Sequence, residues 1–131
     1  MERKIVFLLI LVLLFINLGC ATVYEKNEES LKSIAQEYWK YRIEGDFNKS
    51  YKLEYKENLV SYEVYKNIAS RILKINIKNF NLSNIRIEKE NALIDVEFIF
   101  SLPGIGKPSK DILTDKWIYK NGKWWHVLPA K

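Results

Sequence analysis

Three groups of residues in this 131-residue chain are of types that do chemistry. The first is His126, the one histidine, in the run "WWHVLP". An imidazole titrates near neutral pH and could serve as a general base. A base also needs a positioned partner and a substrate pocket. Alternation along the strand puts His126 on one face with Trp124 and Leu128, opposite Trp125 and Val127. The simpler reading is a histidine partly exposed at a sheet edge, or hydrogen-bonded in place. The second group is Asp95 and Glu97 in "LIDVEF". They are two apart on a strand and point to the same side, where two carboxylates could share a proton or bind a cation. The opposite face of that run, Ala92, Ile94, Val96, Phe98 and Phe100, is uniformly apolar and makes the better core. Asp95 and Glu97 then lie in water, with Arg86 or Lys116 as cross-strand neighbours. An enzyme built on this chain would combine His126 with Asp95 or Glu97 in an open pocket.

The third group is aromatic. The chain has four Trp and eight Tyr, and Trp39, Trp117, Tyr119, Trp124 and Trp125 stand out. Neighbouring strand residues face opposite ways, so Trp124 and Trp125 cannot both enter one core. Core filling accounts for most of these rings. Those left over, together with His126, could form a patch that binds a protein partner or a small ligand.

Other chemistries lack their residues. One cysteine excludes an internal disulfide and any cysteine-cluster metal site. One histidine excludes the H-E-x-x-H arrangement. Gly104 and Gly106 open no helix, so no loop is built to cradle phosphate. Neither a metal nor a cofactor is expected. The balance of 21 Lys+Arg against 16 Asp+Glu, net +5, is spread along the chain. No basic run tracks a phosphate backbone, and nucleic acid is not an expected partner.

The cysteine is Cys20, at the end of "MERKIVFLLILVLLFINLGC". Glu2, Arg3 and Lys4 form a net-positive start, and Ile5 to Ile16 is uninterrupted apolar sequence. A spanning helix takes about 20 apolar residues, so this run has the length of a secretory signal core. Left uncleaved, it would act as a signal anchor. The Leu-Gly-Cys ending resembles the signal peptide of bacterial lipoproteins. Gly19 fits the box of that family, whereas Leu18 is large for its position and Asn17 departs from the pattern. The resemblance implies a diacylglyceryl group on the Cys20 thiol, cleavage before Cys20 and acylation of the new terminus. Each buried methylene contributes about 0.8 kcal/mol, and two or three acyl chains hold a protein where one does not. The protein would then be extracytoplasmic, anchored by lipid at the cell membrane or outer membrane.

The rest divides into a tether over 20–29 and a domain over 30–131. "ATVYEKNEE" has no apolar period and reaches at most about 30 Å. The spacing of Leu31, Ile34, Ala35, Tyr38 and Arg42 or Ile43 predicts a helix capped by Ser30 and stopped at Gly45. Asp46 caps a second short helix, "FNKSYKLEY", and Ser61 a third, "YEVYKNIASRIL". The period then changes to alternation in "INIKNF", "LSNIRIEKE" and "ALIDVEFIFSL". "DKWIYKNGKWWHVLP" is a hairpin turning at Asn121-Gly122. Helices first and antiparallel strands after predict an α+β domain, with the helices packed on a curved sheet.

The stretches "EGDFNKSYKL" and "WIYKNGKWWHVLP" resemble the NTF2-like, cystatin-like α+β cone superfamily. The resemblance implies a cone whose interior is either a pocket or filled core. Some members are enzymes, and many bind ligands or partners without catalysis. The expectation for this chain is a non-enzymatic, lipid-anchored binding module at the envelope. An open-cone enzyme and a purely structural accessory lipoprotein are the alternatives.

Overall fold

The computed structural model describes residues 25–129. The expected signal peptide, Cys20 and tether residues 21–24 lie outside the described residues, as do residues 130 and 131. The chain forms helix α1 (Glu28–Glu44), helix α2 (Phe47–Tyr51), a 3-10 turn (Lys56–Asn58) and helix α3 (Tyr62–Ala69). A second 3-10 turn (Ser70–Lys74) then leads into strands β1 (Asn76–Glu88), β2 (Asn91–Ser101), β3 (Ser109–Lys120) and β4 (Lys123–Val127). The strands make one antiparallel sheet in chain order, β1-β2-β3-β4. The α+β architecture expected from the sequence is the one observed.

The start of α1 corrects the sequence reading. Asn27, not Ser30, is the cap, and its side chain accepts the Ser30 backbone N–H at 2.8 Å. Glu28 and Glu29, expected in the tether, form the first turn, where carboxylates oppose the positive end of the helix dipole. Ser30 instead receives the indole N–H of Trp124 on its hydroxyl at 3.2 Å, tying α1 to β4. At the other end Gly45 adopts φ 81, the left-handed stop that the sequence predicts. Asp46 and Ser61 cap α2 and α3 as expected.

The inward stripe of α1, Leu31, Ile34, Ala35, Tyr38 and Trp39, packs on Ala92, Ile94, Val96 and Phe98 of β2, with Trp117 and Trp124. Phe47, Tyr65 and Ala69 form a second buried cluster under α2 and α3. Three further boundaries differ from expectation. The third helix tightens to 3-10 at Ser70. The two alternating runs before β2 are one long strand, broken in register between Ile77 and Asn79 and between Ser83 and Arg86. Asn84 sits in the second break at φ 47, a conformation asparagine tolerates better than most residues. β3 begins at Ser109, so the sheet extends well beyond the hairpin that the sequence marks. That hairpin turns at Asn121-Gly122 with φ 54 and 74, both positive as a tight two-residue turn requires.

The Gly45 stop gives a direct test. A Cβ there would meet the Leu73 side chain at 3.5 Å, an ordinary contact, so the cost of Gly45→Ala is conformational. The expected loss is roughly 1 kcal/mol or slightly more, read as a lower urea midpoint. An unchanged midpoint would mean that the left-handed stop does not hold α1 to α2.

Candidate functional site

The acid–base residues of this chain meet in its interior. Beyond α2, the segment Leu53–Tyr55 runs beside β4. Tyr55 N donates to His126 O at 2.7 Å, and His126 N donates to Leu53 O at 2.9 Å. This short parallel bridge covers the outer edge of β4 and places Glu54 beside the imidazole. β3 contributes Asp115, which shares the inward face with Trp117. Glu54, Asp115 and His126 are 1%, 3% and 2% exposed.

Both ring nitrogens of His126 have a carboxylate partner. His126 Nδ1 lies 2.8 Å from Glu54 Oε2, and Nε2 lies 2.7 Å from Asp115 Oδ1. A carboxylate only accepts, so both ring nitrogens donate and the ring is an imidazolium. The Tyr38 hydroxyl donates to Glu54 Oε1 at 2.6 Å, and Arg42 donates to that hydroxyl at 2.7 Å. The indole N–H groups of Trp39 and Trp117 donate to Asp115 Oδ2 at 2.9 and 3.1 Å. The Tyr38 ring stacks on the imidazolium, with centroids 4.2 Å apart. The Arg42 guanidinium lies over the Tyr38, Trp39 and Tyr65 rings at 5.7, 5.4 and 5.6 Å. Two carboxylates and two cations make the cluster electrically neutral.

Burial alone would push the imidazole toward its neutral form. The adjoining carboxylates, Asp115 first and then Glu54, outweigh it and hold the His126 pKa up at about 9. Burial, and then the Glu54 charge, push the Tyr38 hydroxyl well above its usual range, so it keeps its proton. The arrangement holds a proton firmly. Neither ring nitrogen faces a hydroxyl or thiol that it could activate, as a base–nucleophile pair requires. The two carboxylates sit at opposite ends of the ring and share no point where a metal ion could be bound.

The sequence candidates separate accordingly. His126 is buried, which corrects the partly exposed reading and leaves the hydrogen-bonded one. Asp95 and Glu97 are on the outer face of the sheet, as expected, and do not approach His126. Asp95 accepts from Asn84 at 3.0 Å, Arg86 at 3.1 Å and Thr114 at 2.9 Å, and these bonds lower its pKa. Glu97 pairs with Lys110 at 3.5 Å. Trp39, Trp117 and Trp124 are buried and form no surface patch with His126, because the cluster and core absorb them. Tyr119 is half-buried and packs edge-on against Trp124 at 5.1 Å. Trp125 lies on the opposite face, half-buried, with its N–H on Lys120 O at 3.0 Å and Lys123 over its ring.

The surface opens elsewhere. A groove of about 360 Å³ lies where the end of α1 meets the turn into β1, lined by Ile43 and residues 72–77. A second, of about 170 Å³, continues from Ile43 and Ile77 to Phe80, Lys40 and Lys78.

No protein-family model matches the chain, and no curated protein sequence does so. Solved structures are similar to it. One is a Campylobacter jejuni protein described as an NTF2-like transpeptidase, at 15% identity and TM-score 0.61, covering 74% of this chain and 96% of that one. The fold is NTF2-like. SEC-C motif proteins of Psychrobacter arcticus and Rhodopseudomonas palustris are also similar. Both are 11% identical, with TM-scores of 0.54 and 0.52. The first likeness covers 74% of this chain and 57% of that one, the second 69% of each. At these identities the likeness is one of fold. Within this NTF2-like domain, the ring partners of His126 were the least visible residues in the sequence. Asp115 carried one signal, its position two before Trp117 on the same strand face. Glu54 carried none, because it lies in irregular chain after a short helix.

Two outcomes are expected. Between the unfolded pKa near 6.5 and the folded value near 9, the native state holds a proton that the unfolded state has lost. The contribution of His126 to stability is therefore fully present below about pH 6.5 and is lost as pH rises toward 9, by on the order of 3 kcal/mol. Denaturation across that window measures it, and the ring resonances of the lone histidine report the titration directly. A His126 midpoint near 6.5 would refute the cluster. Separately, Asp115→Asn should cost about 3–5 kcal/mol, because it leaves a buried cation under-compensated. Asp95→Asn, on the outer face, should cost clearly less than Asp115→Asn, and equal losses would contradict the assignment.

Proposed function

We propose that this chain is a non-enzymatic binding domain, held by lipid on Cys20 at the extracytoplasmic side of a bacterial membrane. One observation carries the non-enzymatic part. The interior acid–base groups are spent on one another in a neutral, buried cluster, and the described surface grooves lie away from it. An NTF2-like interior can be a pocket or a filled core, and Tyr38, Trp39, Trp117 and His126 fill this one. The anchor is supported by the charged start, the apolar run and Gly19-Cys20 in the sequence. The transpeptidase description belongs to the Campylobacter jejuni protein. The nucleophile–base geometry argues against carrying it over.

Two measurements test this reading. Diethyl pyrocarbonate modifies accessible neutral imidazole. His126 should stay unmodified in the folded protein at neutral pH and react once urea unfolds it. Rapid modification of the folded protein would indicate an open site with a neutral ring and sink the non-enzymatic reading. For the anchor, intact-mass measurement on the membrane fraction should find a chain beginning at an acylated Cys20, and Cys20→Ser should abolish the acylation. Wild type that keeps residues 1–19 and a free thiol would overturn it.

A further inference from the structure

The two joined grooves along β1 have aliphatic side chains in their walls, with exposed polar surface predominating in the larger one, and a cationic rim. Ile43, Ile72, Leu73, Ile75, Ile77 and Phe80 supply the walls. Leu73 and Ile75 remain 51% and 46% exposed and border the same groove. Lys40, Lys74 and Lys78 stand around them, exposed and outside the ion pairs among the described residues, against the single carboxylate of Glu44. We propose that this groove is a docking site for a short acidic, apolar segment of a protein partner, its apolar side chains lying along Ile43–Ile77 and its carboxylates on Lys40, Lys74 and Lys78.

Three observations select that occupant. The charge balance of the rim calls for carboxylates. Walls that stay half in water would leave a small molecule largely solvated, whereas ligand pockets bury about 70–90% of their ligand. A macromolecular segment can cover them. The third is position. The chain enters the domain at the start of α1, and the groove lies at its far end, so the seventeen residues of α1 separate them by about 25 Å. A bilayer that holds the N-terminal end reaches the groove only if the tether lets the domain lie along it. Among the described residues the edge of β1 is unpaired and borders the same groove, while the opposite edge of the sheet is covered by Glu54.

The inference rests on the binding-domain reading and deepens it by naming the partner's chemistry. The test uses the full chain in phosphatidylcholine nanodiscs and two synthetic peptides, one alternating leucine and glutamate, the other alternating leucine and lysine. Fluorescence anisotropy measures binding, and hydrogen exchange locates it. The glutamate peptide should bind, slow exchange over residues 72–80, and weaken as salt rises. The variant Lys74→Glu with Lys78→Glu, both exposed and expected to melt like wild type, should bind it about tenfold more weakly and gain affinity for the lysine peptide. Equal binding of both peptides, or of neither, overturns the proposal. Protection on the outer face around Trp125 overturns the groove but leaves a binding domain. Protection of 72–80 by phosphatidylglycerol nanodiscs without peptide overturns it in favour of lipid. An unacylated Cys20 would defeat the anchor without touching this result.

Discussion

The imidazolium of His126, held between Glu54 and Asp115, is the interaction on which the rest of the molecule depends. It joins elements far apart in sequence: the segment after α2, β3 and β4. Tyr38 and Arg42 then carry the same hydrogen-bond chain into α1. Removing charged groups from water costs several kcal/mol each, and an attractive partner offsets this only with good geometry and with the remaining hydrogen-bonding sites filled. Here each Glu54 and Asp115 oxygen accepts at least one hydrogen bond, and the donors come from the walls of the core. The cluster therefore acts mainly as a specificity device. With β4 presenting its 124/126 face inward the carboxylate oxygens are satisfied, while the buried Arg42 Nε has no hydrogen-bond partner among the described residues.

That constraint also explains the two edges of the sheet. The backbone of His126 both donates to and accepts from Leu53–Tyr55, so the bond that orients Glu54 also closes the β4 edge. Among the described residues β1 has no such cover. Its breaks in register near Ile77 and Ser83, and the exposed Lys78, are features that keep an open edge from pairing with a second sheet. Ile75, just before β1, and Ile77 line a groove that no other described element fills.

Much of the fold was legible because it rests on local rules. The apolar stripe of α1, the Gly45 stop, the Asp46 and Ser61 caps, the alternation in β2 and the Asn121-Gly122 turn each follow from spacing or backbone preference. The start of α1 was misplaced because Asn27 and Ser30 are both good caps, and the choice depends on Trp124 taking the Ser30 hydroxyl. The interior site was legible only in part. Alternation placed His126 with Trp124 on one face, and that is where it lies. Its partners were not legible, since ion pairing across 72 residues to Glu54 leaves no local period. The carboxylates that looked like candidates, Asp95 and Glu97, were conspicuous because they alternate, and alternation on a half-buried sheet is what places a residue in water.

The aromatic residues follow the same logic. A tryptophan is large and carries one donor, so its burial is favourable where an acceptor waits at the right place. Trp39 and Trp117 find that acceptor in Asp115, and Trp124 finds it in Ser30. Trp125, one residue on, must face the other way and finds only a backbone carbonyl at the hairpin. Composition marked all four as candidates for recognition. What separates them is whether a buried acceptor exists, and Asp115 provides one because His126 neutralises it. The charge cluster and the Ser30 hydroxyl thus hold three of the four tryptophans in or beside the core, and Trp125 alone is left on the outer face.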